Sequence, residues 1–274
     1  MKRILIATDF SENALHAAHF AAQSFAHQPV HYHLVYVSNC QSKPERKSSK
    51  VPCQGEHCSS KREQLQAFHT KFNSFIDPTL HRSDTFFLDL PPVEALRKQV
   101  REHNIDLIVI GCCGEKKSQQ LGSFAQDVII RVQCPFLIVP PGASLEPVRE
   151  MAFATNYNND YHNSVINTLM EFAELNSAKL NVIHYSKNSL NLSNTQNANR
   201  EFLSEFIEDP EAFFEVKGRP LYVALDDFQK EHPIGVLGLL AKNRSFCEQL
   251  LFNPTSNGHP SVFENKLPVL LLHE

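Results

Sequence analysis

Short apolar runs alternate with helix-period stretches twice along this chain, in the same order each time, and that alternation limits the folds open to it. In the first half Ile4–Ala7 reads as a strand and Ser11 as the cap of a helix reaching Ala26. The helix has Ala14, Ala17, Ala18 and Ala21 on one face. His33–Val37, Thr85–Leu88, Asp106–Ile110 and Pro135–Val139 read as further strands, rich in β-branched residues, leucine and phenylalanine. Lys61–Phe75, Pro91–His103 and Ser123–Val132 read as helices, the second with proline in its first turn and Asn104 near its end. Strands that are apolar throughout are buried on both faces. The pattern therefore predicts mostly parallel sheets with helices on both sides and right-handed crossovers.

The second half repeats the series. Met151–Thr155 echoes Ile4–Thr8, and Asp160–Leu175 is the matching helix. Leu180–His184, Ala212–Val216, Gly235–Leu240 and Leu267–Leu272 supply strands, and Asn199–Ile207 and Pro220–Phe228 supply helices. Each half closes on an apolar strand with proline at its start, Cys134-Pro135-Phe136 and Leu267-Pro268-Val269. Pro141, Gly142 and Pro147 punctuate the join. The expected fold is α/β: two tandem open, mostly parallel five-stranded sheets, with domains at residues 1–141 and 150–274.

Composition excludes several classes. The net charge is −4, so no basic excess points to nucleic acid or to an anionic membrane. No apolar run approaches the length of a membrane span. Asp9 arrives too early for a signal peptide, and the seven cysteines are odd in number and scattered, so reduced thiols and a cytoplasmic location are expected.

The chemistry concentrates in Gly111-Cys112-Cys113-Gly114, followed by Gly122-Ser123 directly before a helix. This loop leaves the carboxyl end of the fourth strand, where open α/β sheets take ligands. Glycines let backbone N–H groups approach phosphate oxygens, Ser123 adds a hydroxyl, and a helix N-terminus adds partial positive charge. The same residues also serve a tight turn and an N-cap, and the pattern alone does not choose between these readings.

Residues Ile4-Leu-Ile-Ala-Thr-Asp-Phe-Ser11, Leu107-Ile-Val-Ile-Gly-Cys-Cys-Gly114, Leu121-Gly-Ser123 and Cys134-Pro-Phe-Leu-Ile-Val-Pro140 together resemble universal stress protein domains. The resemblance covers nearly all of residues 1–141 and, more weakly, 150–274. It implies a Rossmann-like fold of the adenine nucleotide alpha hydrolase-like kind and a role in stress response. It also implies binding of ATP or a related nucleotide, with no metal beyond the magnesium that accompanies ATP. Members that bind ATP carry Gly-x2-Gly-x9-Gly-Ser/Thr. By resemblance, Gly111, Gly114, Gly122 and Ser123 would meet phosphates and ribose, and Asp9 would face ribose or adenine. Val37 would line the adenine pocket, with Thr8 and Ile110 beside it. Family domains associate through their last strands, which implies that Phe136–Val139 and Val269–Leu272 pair the two halves within the chain.

The sequence departs from the family pattern. Seven residues separate Gly114 from Gly122 instead of nine, and Glu115 follows the second glycine, opposed by Lys116 and Lys117. In the second half Asn156 stands for Asp9, and Ala241-Lys-Asn-Arg244 is expected in place of Gly111-Cys-Cys-Gly114. Asn253-Pro-Thr-Ser256 replaces the Gly-Ser pair, leaving Arg244, Ser245 and Asn253 as side-chain anion ligands. That half is expected to be degenerate.

Two cysteine features remain. Cys53 and Cys58, with His57 and Cys40, lie in a polar stretch expected to be a loop from Ser38 to about Ser60, and offer one loosely spaced pair against the four ligands of a structural zinc site. Cys112-Cys113 is either a redox-sensitive pair or two small residues tolerated in the loop. No P-loop and no Gly-x-Ser-x-Gly elbow is present, and no residue reads as a general base, so catalysis is not expected. The functional expectation is a nucleotide-binding stress protein acting through protein partners. The alternative is a tandem scaffold that binds no nucleotide.

Overall fold

A computed structural model describes residues 1–38, 56–113, 121–186, 191–207, 209–217, 220–252 and 262–273. The chain divides into two compact units, Met1–Leu145 and Glu146–Glu274. The first runs β1 (Lys2–Ala7), α1 (Glu12–Ser24), β2 (Val30–Val37), α2 (Glu56–Asn73), β3 (Arg82–Leu88), α3 (Pro92–His103), β4 (Leu107–Gly111), α4 (Ser123–Arg131) and β5 (Phe136–Val139). Its sheet has the order β3-β2-β1-β4-β5, with every pairing parallel. The second runs β6 (Glu150–Thr155), α5 (Asn163–Leu175), β7 (Lys179–Ser186), α6 (Asn194–Phe206), β8 (Phe213–Lys217), α7 (Leu221–Glu231), β9 (Val236–Leu240), a short helix α8 (Arg244–Cys247) and β10 (Val269–Leu272). Its order is β8-β7-β6-β9-β10, again all parallel.

The alternation in the sequence is the reason for this architecture. Residues 4–7 of β1, 107–110 of β4 and all of β5 are buried, so helices must cover both faces. In α1 the buried stripe holds Ala14, Ala17, Ala18, Ala21 and Ala22, and small side chains let a helix lie close to the strands beneath it. Ser11 caps the helix by accepting from the Ala14 N–H. Pro92 opens α3 and Asn104 closes it at φ 48°, in the left-handed region that asparagine tolerates at helix ends.

Several boundaries move. β2 begins at Val30 instead of His33, α2 at Glu56 instead of Lys61, and α6 at Asn194 instead of Asn199. The residues added to α2 and α6 are mostly polar, while in β2 the buried Val30 and Tyr32 flank His31 in strand alternation. His31 Nε2 meets Asp84 Oδ2 at 2.6 Å across β2 and β3, and α6 starts on a reciprocal capping box between Ser193 and Gln196. Cys58 takes part in a disulfide, where reduced thiols were expected throughout. Cys112, Cys113, Cys134 and Cys247 are free. Cys40 and Cys53 lie outside the described residues, among which no group of three or more metal-ligating side chains occurs. No described helix is long and apolar enough to cross a membrane.

Buried histidines make the fold acid-sensitive, and His33 is the clearest of them. The His33 ring is 2 % exposed, lies parallel on Phe86 at 4.9 Å, and has no hydrogen-bond partner for either nitrogen. Burial holds it down to about 4, and like charge on His31, His103 and Arg3 acts in the same direction against Asp84. The unfolded chain therefore binds this proton first. The stability that neutral His33 confers is complete above about pH 6.5 and is lost as pH falls toward 4. Between pH 7.5 and 5 the loss from this group is about 2 kcal/mol. Urea denaturation at both pH values should show a smaller drop for His33→Phe than for the unsubstituted protein. Equal drops would mean that His33 is not the responsible group.

Candidate functional site

The strand order reverses direction at β1, which has β2 on one side and β4 on the other. A crevice opens at such a switch point beyond the carboxyl ends of the strands. In the first unit it is a cleft of about 180 Å3. Thr8, Asp9, Val37, Ile110, Gly111 and Gly122 form walls of it. Ser123 opens α4 but is exposed and stands outside the walls, and Gly114 lies outside the described residues. Tyr36, Ala14, Phe124, Cys112 and Cys113 are among the other lining residues.

The turn after β1 is held by its own side chains. Thr8 Oγ1 accepts from the Phe10 N–H at 2.9 Å, and Asp9 Oδ1 accepts from the Ser11 N–H at 3.0 Å. Phe10 takes φ 70° and stacks on Tyr36 at 4.7 Å, with Lys61 Nζ 5.3 Å from its ring centroid. Asp9 is the one charged residue among the described walls.

The two glycines have different reasons. A Cβ on Gly111 would lie 2.4 Å from Asn13 Nδ2, so the close approach of α1 requires glycine there. A Cβ on Gly122 would meet nothing nearer than the Cys112 carbonyl oxygen, at 3.9 Å, and Gly122 has φ −65°. Nothing in the local backbone demands glycine at 122. Its N–H is already given to the Cys112 carbonyl at 2.8 Å, so the amides left for an anion are those of α4 itself. Gly122 caps this helix without a side-chain bond, and the N–H groups of Ser123, Phe124 and Ala125 have no partner among the described residues. Burial pushes both thiols up, strongly for Cys112, and Asp9 adds to the shift of Cys113. Both are therefore held as protonated thiols at neutral pH, which disfavours thiolate chemistry.

Asn13 is the residue that sequence reasoning missed. Its Nδ2 donates to the Cys113 carbonyl at 2.8 Å. The available signal was a polar side chain beside Ala14 on a helix face that is mostly alanine.

The second unit repeats the turn and fills the cleft. Thr155 Oγ1 accepts from the Tyr157 N–H and Asn156 Oδ1 from the Asn158 N–H, so Asn156 does stand where Asp9 stands. Tyr157, at φ 56° and 2 % exposed, stacks on His184 at 4.6 Å as Phe10 stacks on Tyr36. Asn243 Nδ2 donates to Asn156 Oδ1, Gln196 Nε2 to the Asn156 carbonyl and Asn199 Nδ2 to the Tyr157 carbonyl. Register corrects one expectation. Ile6 pairs with Val109 and Phe153 with Gly238, while Gly111 pairs with Val139 and Leu240 with Leu272. Leu240, not Ala241, therefore occupies the place of Gly111. Arg244 begins the short α8, and Asn253 lies outside the described residues.

Comparison with known proteins agrees with this geometry. The model of the universal stress protein family matches residues 1–140. No curated protein sequence matches significantly. Among solved structures, a universal stress protein from Archaeoglobus fulgidus aligns over 99% of this chain and 96% of its own, at 15% identity and a TM-score of 0.66. A Pseudomonas aeruginosa chain described as a candidate universal stress protein aligns over 99% of this chain and 93% of its own, at 17% identity and a TM-score of 0.57. At such identities these likenesses speak for the fold, and the family model, spanning just over half of the residues, speaks for descent: the chain belongs to the universal stress protein family.

Proposed function

We propose that the first unit binds ATP or a related adenine nucleotide in its cleft, and that occupancy alters contacts with protein partners in a stress response. The carrying observation is the convergence of six candidate residues on one cleft that the start of α4 also lines, where the first N–H groups of that helix have no partner among the described residues. An anion there would gain hydrogen bonds and the helix dipole together. Tyr36 and Val37 offer apolar surface at the β2 end for a base, and Asp9 is exposed beside them for a sugar hydroxyl. At about 180 Å3 the cleft is smaller than the roughly 300–1,000 Å3 of typical ligand pockets, so it would enclose only part of a nucleotide. Signalling requires that ligand bind two conformations or two assemblies with different affinity.

The site reads as a binder and not as a catalyst. Asp9 is the one carboxylate among the described walls, and one of its oxygens already holds the Ser11 N–H. No histidine lines the cleft. The second unit, with its counterpart filled by Tyr157 and Asn243, is read as the degenerate partner.

Two outcomes are expected. Protein purified and then denatured should release adenine nucleotide, and calorimetry with ATP should give one site per chain. Two sites would show that the second unit opens, and no released nucleotide with no binding heat would leave the scaffold reading. Gly122→Val should still fold, at a cost of about 1 kcal/mol for the weaker N-cap, because among the described residues its Cβ meets only the Cys112 carbonyl oxygen, at an ordinary 3.9 Å. It should nevertheless bind ATP at least about tenfold more weakly, a loss of about 1.4 kcal/mol. Unchanged affinity would place the nucleotide elsewhere.

A further inference from the structure

Asn13 has properties that packing alone does not explain. It sits on the buried stripe of α1, 8 % exposed, where the neighbouring positions are alanine. Its Nδ2 is satisfied by the Cys113 carbonyl, but its Oδ1 is buried with no hydrogen-bond partner. A buried unpaired acceptor costs free energy, and alanine would avoid that cost. The same carboxamide also leaves no room for any side chain at residue 111. Asn13 thus imposes two local penalties, and its polar contacts in return are both to Cys113 on the cleft wall, a short bond to the carbonyl and a long one to the sulfur at 3.8 Å.

That carbonyl explains the arrangement. Cys113 lines the same cleft as Phe124 and Ala125 of α4. A free carbonyl there would present the negative end of its dipole to an anion and compete for the N–H groups that should meet it. Bound to Asn13, its oxygen is turned toward α1 and its acceptor capacity is engaged. The second unit provides the contrast. Leu240 takes the place of Gly111, and the residue at the place of Asn13, second in a helix of the same thirteen residues, is the exposed Ser164. The amide and the glycine occur together where the cleft is open and are both absent where it is filled.

We propose that Asn13 is a positioning residue of the nucleotide cleft: its carboxamide, seated against Gly111, holds the Cys113 carbonyl away from the phosphate end, so that the site favours nucleotides over nucleosides. This rests on the nucleotide reading above and names the residue that sets its charge preference. The role is indirect, since Asn13 does not line the cleft.

The test uses the full chain as Asn13→Ala, Gly111→Ala and the double variant, with ATP and adenosine as probes. Thermal denaturation reports the packing. Gly111→Ala should lose stability, because its methyl meets the Asn13 amide, and the double variant should regain most of it, because the methyl fills the vacated space. Calorimetry reports the positioning. Both variants lacking Asn13 should bind ATP at least about tenfold more weakly while holding adenosine within about twofold, a selectivity change of at least about fivefold, or about 1 kcal/mol. If the alanine variants do not fold, Asn13→Ser, carrying the residue found in the second unit, is read the same way. ATP affinity equal to the native chain, or equal losses for ATP and adenosine, would overturn the proposal while leaving nucleotide binding intact. A native chain that binds neither probe would remove the nucleotide reading and this inference with it.

Discussion

The contact between the α1 carboxamide and the β4 glycine is the constraint on which the first unit's cleft depends. An alanine stripe lets α1 lie close to the strands, and at its first turn the Asn13 side chain reaches the backbone of Gly111. No Cβ fits beside that carboxamide, so with Asn13 in place β4 ends in glycine. The Cys113 carbonyl is then tied to α1, the Cys112 carbonyl accepts from Gly122, and the first amides of α4 have no partner among the described residues. One close approach thus carries through two peptide groups to the helix end that forms the cleft.

The two units show which parts of this design are independent of the ligand. Both keep the parallel sheet order, the threonine and Asp/Asn bonds of the first turn, a left-handed residue two positions after the threonine, and an aromatic stack onto the second strand. These are local backbone solutions, indifferent to what lies above them. They diverge after the fourth strand of each unit, where the first keeps Gly111 and the second has Leu240. Side-chain amides of Gln196, Asn199 and Asn243 then satisfy the turn from above. A buried polar turn must be satisfied by something. In the second unit the protein does this itself, and in the first Asp9 remains exposed at the cleft.

The electrostatics of the first cleft rest on dipoles. Asp9 is the only charged group among its described walls, the thiols stay protonated because burial penalises the thiolate, and the nearest mapped cation, Lys61, is held over Phe10 and Tyr36 at the rim. Such a site discriminates by the orientation of a few amides and carbonyls, so a residue that only aims a carbonyl can matter as much as one that touches ligand.

Much of this was legible in the sequence. Strand and helix order, the duplication and the family followed from apolar periodicity and from short motifs whose spacing is local. The candidate residues Thr8, Asp9, Gly111 and Gly122 were legible for the same reason, since each sits at the end of a recognisable element. The sequence could not distinguish two glycines with opposite causes. Gly111 is dictated by a side chain nearly a hundred positions away, while Gly122 is free of any steric demand. It misaligned Ala241 with Gly111 because the second half has no glycine to mark the register, which the strand pairings alone decide. Periodicity and turn chemistry act between neighbours and are written along the chain. Close approach, register and the satisfaction of buried polar groups act between distant residues, and only the packed tertiary structure brings those residues within reach.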